Sequence, residues 1–269
     1  MKACAGLKIA NTKMKHPDEY FEKTRERKRH PLLVSAINCI KDIKSKKHYR
    51  QKLDVLRAAD LGCGSGGDTL YLLEEGYDVT AVDIEEAALN IVSQRAYSEN
   101  LPSPKLICGR MEELKSSVQF DLISSNLALP YVGPVHFLKI WSKIVQYIRF
   151  GGVFSGQFFG NAHEWSKDKS IKFLDIATLK FLFRGWFSMA HISEEKGRAI
   201  SSLGGAPYWH QYDVIAVRTP IAPEKPLLKY YEFKQLSEKA DSTEAEDSEI
   251  KPTPSKLKCK RLGIYTLHS

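Results

Sequence analysis

The sequence predicts an α/β fold, a mostly parallel sheet with helices packed on both of its faces. The first observation is a glycine-rich turn at 62–67, which follows an apolar strand and precedes a helix. The second is Asp83, an acid at the end of the next strand, as nucleotide-binding βαβ units require. The third is that strand and helix patterns alternate until about residue 183. Such alternation is typical of a parallel sheet covered on both sides.

Helices are predicted before the first strand. Residues 17–28 are compatible with a short helix, and 31–44 form a stronger one because Leu33, Ile37 and Ile40 recur at helical spacing. The next segments alternate between short apolar runs, which suit buried strands, and longer amphipathic runs. They are predicted as strand 57–61, helix 68–75, strand 78–83, helix 85–97, strand 105–109 and strand 120–125.

The second half continues the pattern and then changes it. An amphipathic helix at 134–148 is closed by Gly151 and Gly152, and an apolar strand follows at 153–159. A helix is predicted at 170–183. The last two strands, 186–195 and 208–219, are joined through a glycine turn with no helix between them. We therefore expect them to form an antiparallel hairpin at one edge of the sheet.

The 269 residues divide unevenly by charge. Residues 1–52 hold 15 Lys and Arg against 5 Asp and Glu, whereas 53–221 are slightly acidic. We predict a flexible basic N-terminus at 1–16, a helical lid segment at 17–52 and a ligand-binding domain at 53–221. Four prolines and an acidic run at 244–249 predict a disordered tail at 222–269. The basic arm makes nucleic acid a possible partner, but few aromatic residues accompany it, so nucleic acid is not favoured.

Five scattered cysteines, none in C-x-x-C spacing, indicate reduced thiols and argue against a disulfide framework or a zinc site. No apolar run is long enough to span a membrane, and the first residues lack the apolar core of a signal peptide. The sequence therefore predicts a cytoplasmic protein with no metal site. It leaves the oligomeric state open.

The glycine turn fits two kinds of cofactor. Gly62, Gly64 and Gly67 satisfy the G-x-G-x-x-G pattern of dinucleotide dehydrogenases. Asp60, two residues before the first glycine, would repel a pyrophosphate but would attract a positively charged group. Asp83 is placed to accept hydrogen bonds from two ribose hydroxyls. These features favour S-adenosylmethionine (SAM), which combines an adenosine with a cationic tail.

Longer strings strengthen this interpretation. D-L-G-C-G-S-G at 60–66 resembles the first motif of class I SAM-dependent methyltransferases. The strings at 126–141, 151–165 and 207–216 resemble a bacterial group of these enzymes that is similar to tellurite-resistance and thiopurine methyltransferase-like proteins. The resemblance covers about 17–219. It implies a Rossmann-like sheet of seven mostly parallel strands in the order 3-2-1-4-5-7-6, with the last strand antiparallel.

The cofactor site is expected where the strands end, because ligands bind at the carboxyl edge of such sheets. Arg110 takes the place where many of these enzymes carry an acid for the adenine, so Met111 packing, with Glu112 as a polar partner, is expected to replace it. Asn126 and Leu127, after the fourth strand, should face the methionine part of SAM. The predicted cofactor-binding residues are Asp60, Gly62, Cys63, Gly64, Gly66, Asp83, Ile84, Met111, Glu112, Asn126 and Leu127.

Methyl transfer from a sulfonium is an in-line displacement that needs alignment more than acid–base chemistry. The catalytic residues are therefore left unknown, with His210, Tyr131 and His163 as candidates near strand ends. The sequence lacks the D/N-P-P-Y and Pro-Cys motifs of base-modifying enzymes, which favours a small-molecule acceptor. Two alternatives stay open. One is a nucleic-acid or protein methyltransferase, and the other is a non-catalytic SAM-binding protein or secreted effector.

Overall fold

The computed structural model describes residues 17–45, 55–200 and 205–219. The predicted N-terminus 1–16, the predicted tail 222–269 and residues 46–52 of the predicted lid segment lie outside the described residues. The strands are β1 (Arg57–Leu61), β2 (Asp78–Asp83), β3 (Lys105–Cys108), β4 (Phe120–Ser125), β5 (Ile148–Gly160), β6 (Phe173–Leu174), β7 (Phe187–Arg198) and β8 (Tyr208–Arg218). The α-helices are α1 (Pro17–Lys23), α2 (Pro31–Ser45), α3 (Gly67–Glu74), α4 (Glu86–Ser98), α5 (Gly133–Tyr147) and α6 (Ile176–Phe183).

One sheet contains all these strands, in the order β3-β2-β1-β4-β5-β8-β7, with the two-residue β6 paired to the end of β5. This is the predicted order once β6 is counted. In the centre, Ala59 of β1 lies between Thr80 of β2 and Ile123 of β4 in parallel register. β8 runs antiparallel to both β5 and β7. The predicted fold class is therefore confirmed.

Three element boundaries differ from the prediction by five residues or more. The helix predicted at 17–28 ends at Lys23. The helix predicted at 170–183 begins only at Ile176, because Asp175 caps it by accepting a hydrogen bond from the backbone nitrogen of Thr178 at 2.7 Å. β5 begins at Ile148 instead of residue 153. Gly151 adopts a φ of 76° there, and the β4–β5 register shifts around it. The glycines predicted to close a helix thus form an irregularity inside a strand.

Helices pack on both faces of the sheet. On one face, Trp141 of α5 contacts Phe154 of β5 and Phe183 of α6, with ring centroids 5.5 and 4.7 Å apart. On the other, Leu33 and Ile37 of α2 pack in a second apolar cluster. Burial of each such side chain contributes about 1.5–3 kcal/mol. The two cores fix the strands, so the loops at their carboxyl ends are held in one place.

Among the described helices, none combines the length and the apolar character needed to cross a membrane.

Candidate functional site

The loop after β1 passes close to the loop after β4. Gly62 has a φ of 79°, and a β-carbon at this position would overlap the β-carbon of Ala128. The backbone nitrogen of Gly62 donates to Val82 of β2 at 2.8 Å. Only glycine fits such a position, because an L side chain would be strained and would collide. The Met111 side chain, from the segment after β3, packs against the same glycine. This point of the sheet edge therefore brings together that segment and the ends of β1, β2 and β4.

Asp83 lies at the end of β2 and holds the glycine turn. Its Oδ2 accepts a hydrogen bond from the backbone nitrogen of Gly64 at 2.8 Å, and its Oδ1 accepts one from Glu85 at 3.1 Å. Burial raises the pKa of Asp83, and the backbone N–H groups of Glu85, Gly64 and Ile84 oppose that rise. The carboxylate therefore stands directly beside the turn, at the carboxyl edge of the sheet.

Asp60 is buried beneath the same turn, with 2% of its surface exposed. Its Oδ2 accepts a hydrogen bond from the Thr69 hydroxyl at 2.6 Å. Burial, with repulsion from Asp68 and Asp83, raises the pKa of Asp60 to about 8. The carboxyl of Asp60 is thus near enough to Asp68 and Asp83 for their charges to act on it. A cation bound among them would be attracted by all three and would restore the charge of Asp60.

Asn126 and Leu127 follow β4 on the other side of the crevice. Leu127 has a φ of 54°, a conformation that is rare for a residue other than glycine and that clusters at functional sites. The Nδ2 of Asn126 donates to the Asp68 carboxylate and, at 3.3 Å, to Ser124. Its Oδ1 is buried and has no hydrogen-bond partner in the part of the chain that the structure describes. An acceptor oxygen is therefore available at this strand end.

Two other predicted cofactor residues are engaged elsewhere. The Glu112 carboxylate is buried, forms an ion pair with Arg110 and lies 3.8 Å from Nδ1 of His136 on α5. Cys63 packs in a small apolar cluster with residues of α4, and burial raises the pKa of its thiol well above the usual range. Gly66, at the start of α3, completes the turn by donating to the Cys63 carbonyl at 3.0 Å. Cys63 thus packs against α4 with its side chain and takes part in the glycine turn through its backbone. The Glu112 side chain faces α5.

The segment after α1 lies across the glycine turn, a contact that the sequence pattern did not specify. The Ser65 hydroxyl donates to the Thr24 carbonyl at 2.6 Å. A β-carbon on Gly67 would lie 2.6 Å from the Arg27 carbonyl oxygen and 2.7 Å from that of Lys28. Phe21 is buried against α4. The N-terminal segment is therefore docked on the turn, and Gly67 is required for close approach as much as for helix initiation.

The three candidate catalytic residues lie at the ends of β4, β5 and β8. His210 is packed on Gly160, its Nδ1 accepts from the Ala162 backbone at 3.0 Å, and its Nε2 lies 2.8 Å from Glu194. Both ring nitrogens are thus occupied. Burial lowers the pKa of His210, and Glu194 opposes that shift. Tyr131 contacts Phe159, and burial raises the pKa of its phenol.

His163 sits inside a group of aromatic rings that we call the aromatic rim. The ring centroids lie 4.5 to 5.8 Å from that of the histidine. The Nδ1 of His163 accepts a hydrogen bond from the Trp165 backbone at 3.1 Å, so the proton is on Nε2, which has no partner among the described residues. Burial lowers the pKa of His163 to about 4. The members of the rim are Phe159, His163, Trp165, Phe173 and Trp209.

Comparison with known proteins identifies the central part of the chain. Residues 58–152 match the family model described as a methyltransferase domain. The trans-aconitate 2-methyltransferase of Deinococcus radiodurans is 30% identical over 105 residues, and a ubiquinone biosynthesis O-methyltransferase of Rickettsia akari is 28% identical over 106. These matches cover 39% of this chain and span 38% and 41% of the two relatives. The chain thus spans about two-fifths of the length of the curated relatives it matches.

Solved structures share the fold over a larger part of the chain. TehB from Haemophilus influenzae is 18% identical with a TM-score of 0.58, covering 76% of this chain and 67% of its own. Magnesium protoporphyrin IX methyltransferase from Synechocystis, with bound SAM, is 15% identical with a TM-score of 0.53, covering 80% and 99%. At such identities the likeness shows the fold.

The strand order, the acid-lined glycine turn and the matched domain agree with each other and with the sequence prediction. Residues 58–152 match a methyltransferase domain, and the chain shares its fold with solved methyltransferases, one of which holds bound SAM.

Proposed function

We propose that this protein transfers a methyl group from SAM to a small molecule that has a flat, apolar face. The observation that carries the proposal is the juxtaposition of two unlike surfaces. The glycine turn brings three carboxylates to one crevice, whereas the end of β5 carries the aromatic rim. Tyr131 lies between them, because it follows the Asn126 loop and its ring contacts Phe159 at 5.7 Å. This contact supports a cation site with an apolar site beside it.

The residues of the crevice fit SAM. Asp83 would accept hydrogen bonds from the ribose hydroxyls, and the backbone around Gly62 and Gly64 would allow close approach. Asp60, beneath the turn, would attract the positive charge of the amino-acid part. Met111 and Ile84 would contact the adenosine, and Leu127 would face the methionine part. The orphaned buried oxygen of Asn126 supports this assignment, because buried acceptors are nearly always paired. SAM supplies a methyl group that is already activated for displacement.

The aromatic rim is proposed to hold the acceptor. Aromatic rings favour flat apolar ligands in offset or edge-to-face contact. At neutral pH the imidazole of His163 is uncharged because burial lowers its pKa, and its single proton is on Nε2. The phenol of Tyr131 keeps its proton because burial raises its pKa. His163 would therefore donate a hydrogen bond through Nε2. The residues of this surface orient an acceptor, and removal of its proton is not assigned to any of the three candidates.

The N-terminal segment 17–30 is proposed to act as a lid on the cofactor. Its carbonyl oxygens pack on Gly67, and the Phe21 ring lies 3.9 Å from the position of a β-carbon on Gly64. Arg25 donates to Gln94 of α4 at 2.8 Å, which ties the segment to the domain. A docked segment at this position would exclude water from the sulfonium centre, and that exclusion favours displacement by the acceptor.

The curated relatives support a small acceptor by their names, which refer to trans-aconitate and to ubiquinone biosynthesis. Methyl-labelled SAM, incubated separately with a metabolite extract, total RNA and a protein extract, tests the proposal. Label should appear in the metabolite fraction alone, and an Asp83→Ala variant should incorporate at least tenfold less at subsaturating SAM. Label confined to RNA or protein would contradict the proposal. SAM binding with no label in any fraction would indicate a non-catalytic SAM-binding protein.

A further inference from the structure

Asp68 joins three parts of the chain that are far apart in sequence. It lies in the first turn of α3, and its Oδ1 accepts a hydrogen bond from the backbone nitrogen of His30 at 2.6 Å. Its Oδ2 accepts a hydrogen bond from Nδ2 of Asn126, after β4. Because an ionised carboxylate only accepts hydrogen bonds, the nitrogen of the Asn126 amide must face Asp68. The orientation of that amide is thus fixed by chemistry.

This orientation directs the other end of the amide away from Asp68. The Oδ1 of Asn126 is buried, and within residues 17–45, 55–200 and 205–219 it has no hydrogen-bond partner. Leu127, the next residue, has a positive φ, which sharply turns the chain immediately after the amide. An orphaned acceptor beside a strained backbone, at the carboxyl end of a central strand, points to a ligand that donates a hydrogen bond.

We propose that Asp68 is a positioning residue, which sets the Asn126 amide so that its oxygen accepts a hydrogen bond from the α-ammonium group of SAM. This inference rests on the proposed function. Because the same carboxylate also binds the His30 backbone, the docking of the N-terminal segment and the orientation of Asn126 depend on one side chain. Asp68 thereby couples the proposed lid to recognition of the cofactor's amino group.

The substitution Asp68→Asn tests the orientation specifically. The His30 N–H requires an acceptor, so the oxygen of the new amide would remain on His30 and its nitrogen would face Asn126. Two amide nitrogens cannot bond to each other, so Asn126 would rotate and present its oxygen to residue 68. Ser124 can accommodate this rotation because its hydroxyl can also donate. The rotated amide would then present N–H groups to the ammonium of the cofactor.

The measurement is calorimetric affinity for S-adenosylhomocysteine and for 5′-methylthioadenosine, which lacks the amino-acid part. Asp68→Asn should lower the affinity for S-adenosylhomocysteine by about tenfold or more, because a hydrogen bond to a charged group is lost. The affinity for 5′-methylthioadenosine should stay within about twofold of that of the unaltered protein. Combining Asp68→Asn with Asn126→Asp exchanges the acid and the amide. That pair should recover most of the lost affinity, since position 126 again offers an oxygen to the ligand.

The outcomes separate this inference from the proposed function. Unchanged affinity for S-adenosylhomocysteine in Asp68→Asn would overturn the positioning role. Equal losses for both ligands, or no recovery in the exchanged pair, would also overturn it, because a merely structural role predicts those results. If the unaltered protein binds neither ligand, the proposed function fails and the inference fails with it.

Discussion

Replacement of Asp83 by alanine should weaken both the fold and the cofactor site. The carboxylate accepts hydrogen bonds from the backbone nitrogens of Gly64 at 2.8 Å and Glu85 at 3.1 Å. Two charge-assisted bonds contribute about 3–6 kcal/mol together. The cost of burying the carboxylate, which raises its pKa, offsets part of this. We therefore expect Asp83→Ala to lower the free energy of unfolding by about 2 kcal/mol.

Loss of the proposed ribose contacts should lower S-adenosylhomocysteine affinity at least tenfold. Urea unfolding measures the first effect and titration calorimetry the second. Asp83→Asn is the matched control, because it keeps one acceptor oxygen and removes the charge, and its effects should be intermediate. A folded Asp83→Ala variant with unchanged stability and unchanged affinity would refute the reasoning, since Asp83 would then hold neither the turn nor the ligand.

The buried imidazole of His163 should make the free energy of unfolding depend on pH, because folding lowers its pKa from 6.5 to about 4. Between these two values the unfolded chain binds a proton that the folded protein does not. Stability should then fall by about 2 kcal/mol from pH 7.5 to pH 5, and His163→Phe should reduce that slope in urea unfolding. The pKa of Asp60 is raised to about 8, so this carboxyl should release a proton when the protein binds SAM. The affinity for SAM, measured by calorimetry, should therefore be lower at pH 6 than at pH 8. The Asp60→Asn variant should not show this difference. Gly67→Ala would place a β-carbon 2.6 Å from the Arg27 carbonyl oxygen, so amide exchange should accelerate across 20–30. Gly109→Ala, where a β-carbon meets nothing within 4 Å, should leave exchange unchanged, and equal exchange in both variants would argue against docking.

The sheet order was predictable because its determinants are local. Apolar runs of strand length alternate with helical periodicities, and the glycine turn with Asp83 marks the first βαβ unit. β6 was missed, since two residues carry no periodicity. The early start of β5 was missed because Gly151 and Gly152 are typical of a loop, yet here they form an irregularity within a strand.

The site was only partly predictable because its missing partners are distant in sequence. Aspartate is common in the first turn of a helix, where its negative charge interacts favourably with the helix dipole. Nothing in the local sequence therefore relates Asp68 to His30 or Asn126. His210 faces Lys196 in the β7–β8 hairpin, so Glu194 is its diagonal neighbour on the same face. That pairing could have been anticipated once the hairpin register was known. The aromatic rim joins three separate strands and the loop after β5, and no spacing rule predicts it.

The central claim is that the acid-lined glycine turn binds SAM, and ligand-dependent thermal unfolding of the full chain tests it most directly. SAM and S-adenosylhomocysteine should each raise the unfolding temperature in a concentration-dependent way, because a ligand that binds only the folded state stabilises it. NAD and ATP should have no comparable effect, since the three carboxylates oppose a pyrophosphate or triphosphate. Stabilisation by NAD with none by SAM would contradict the claim.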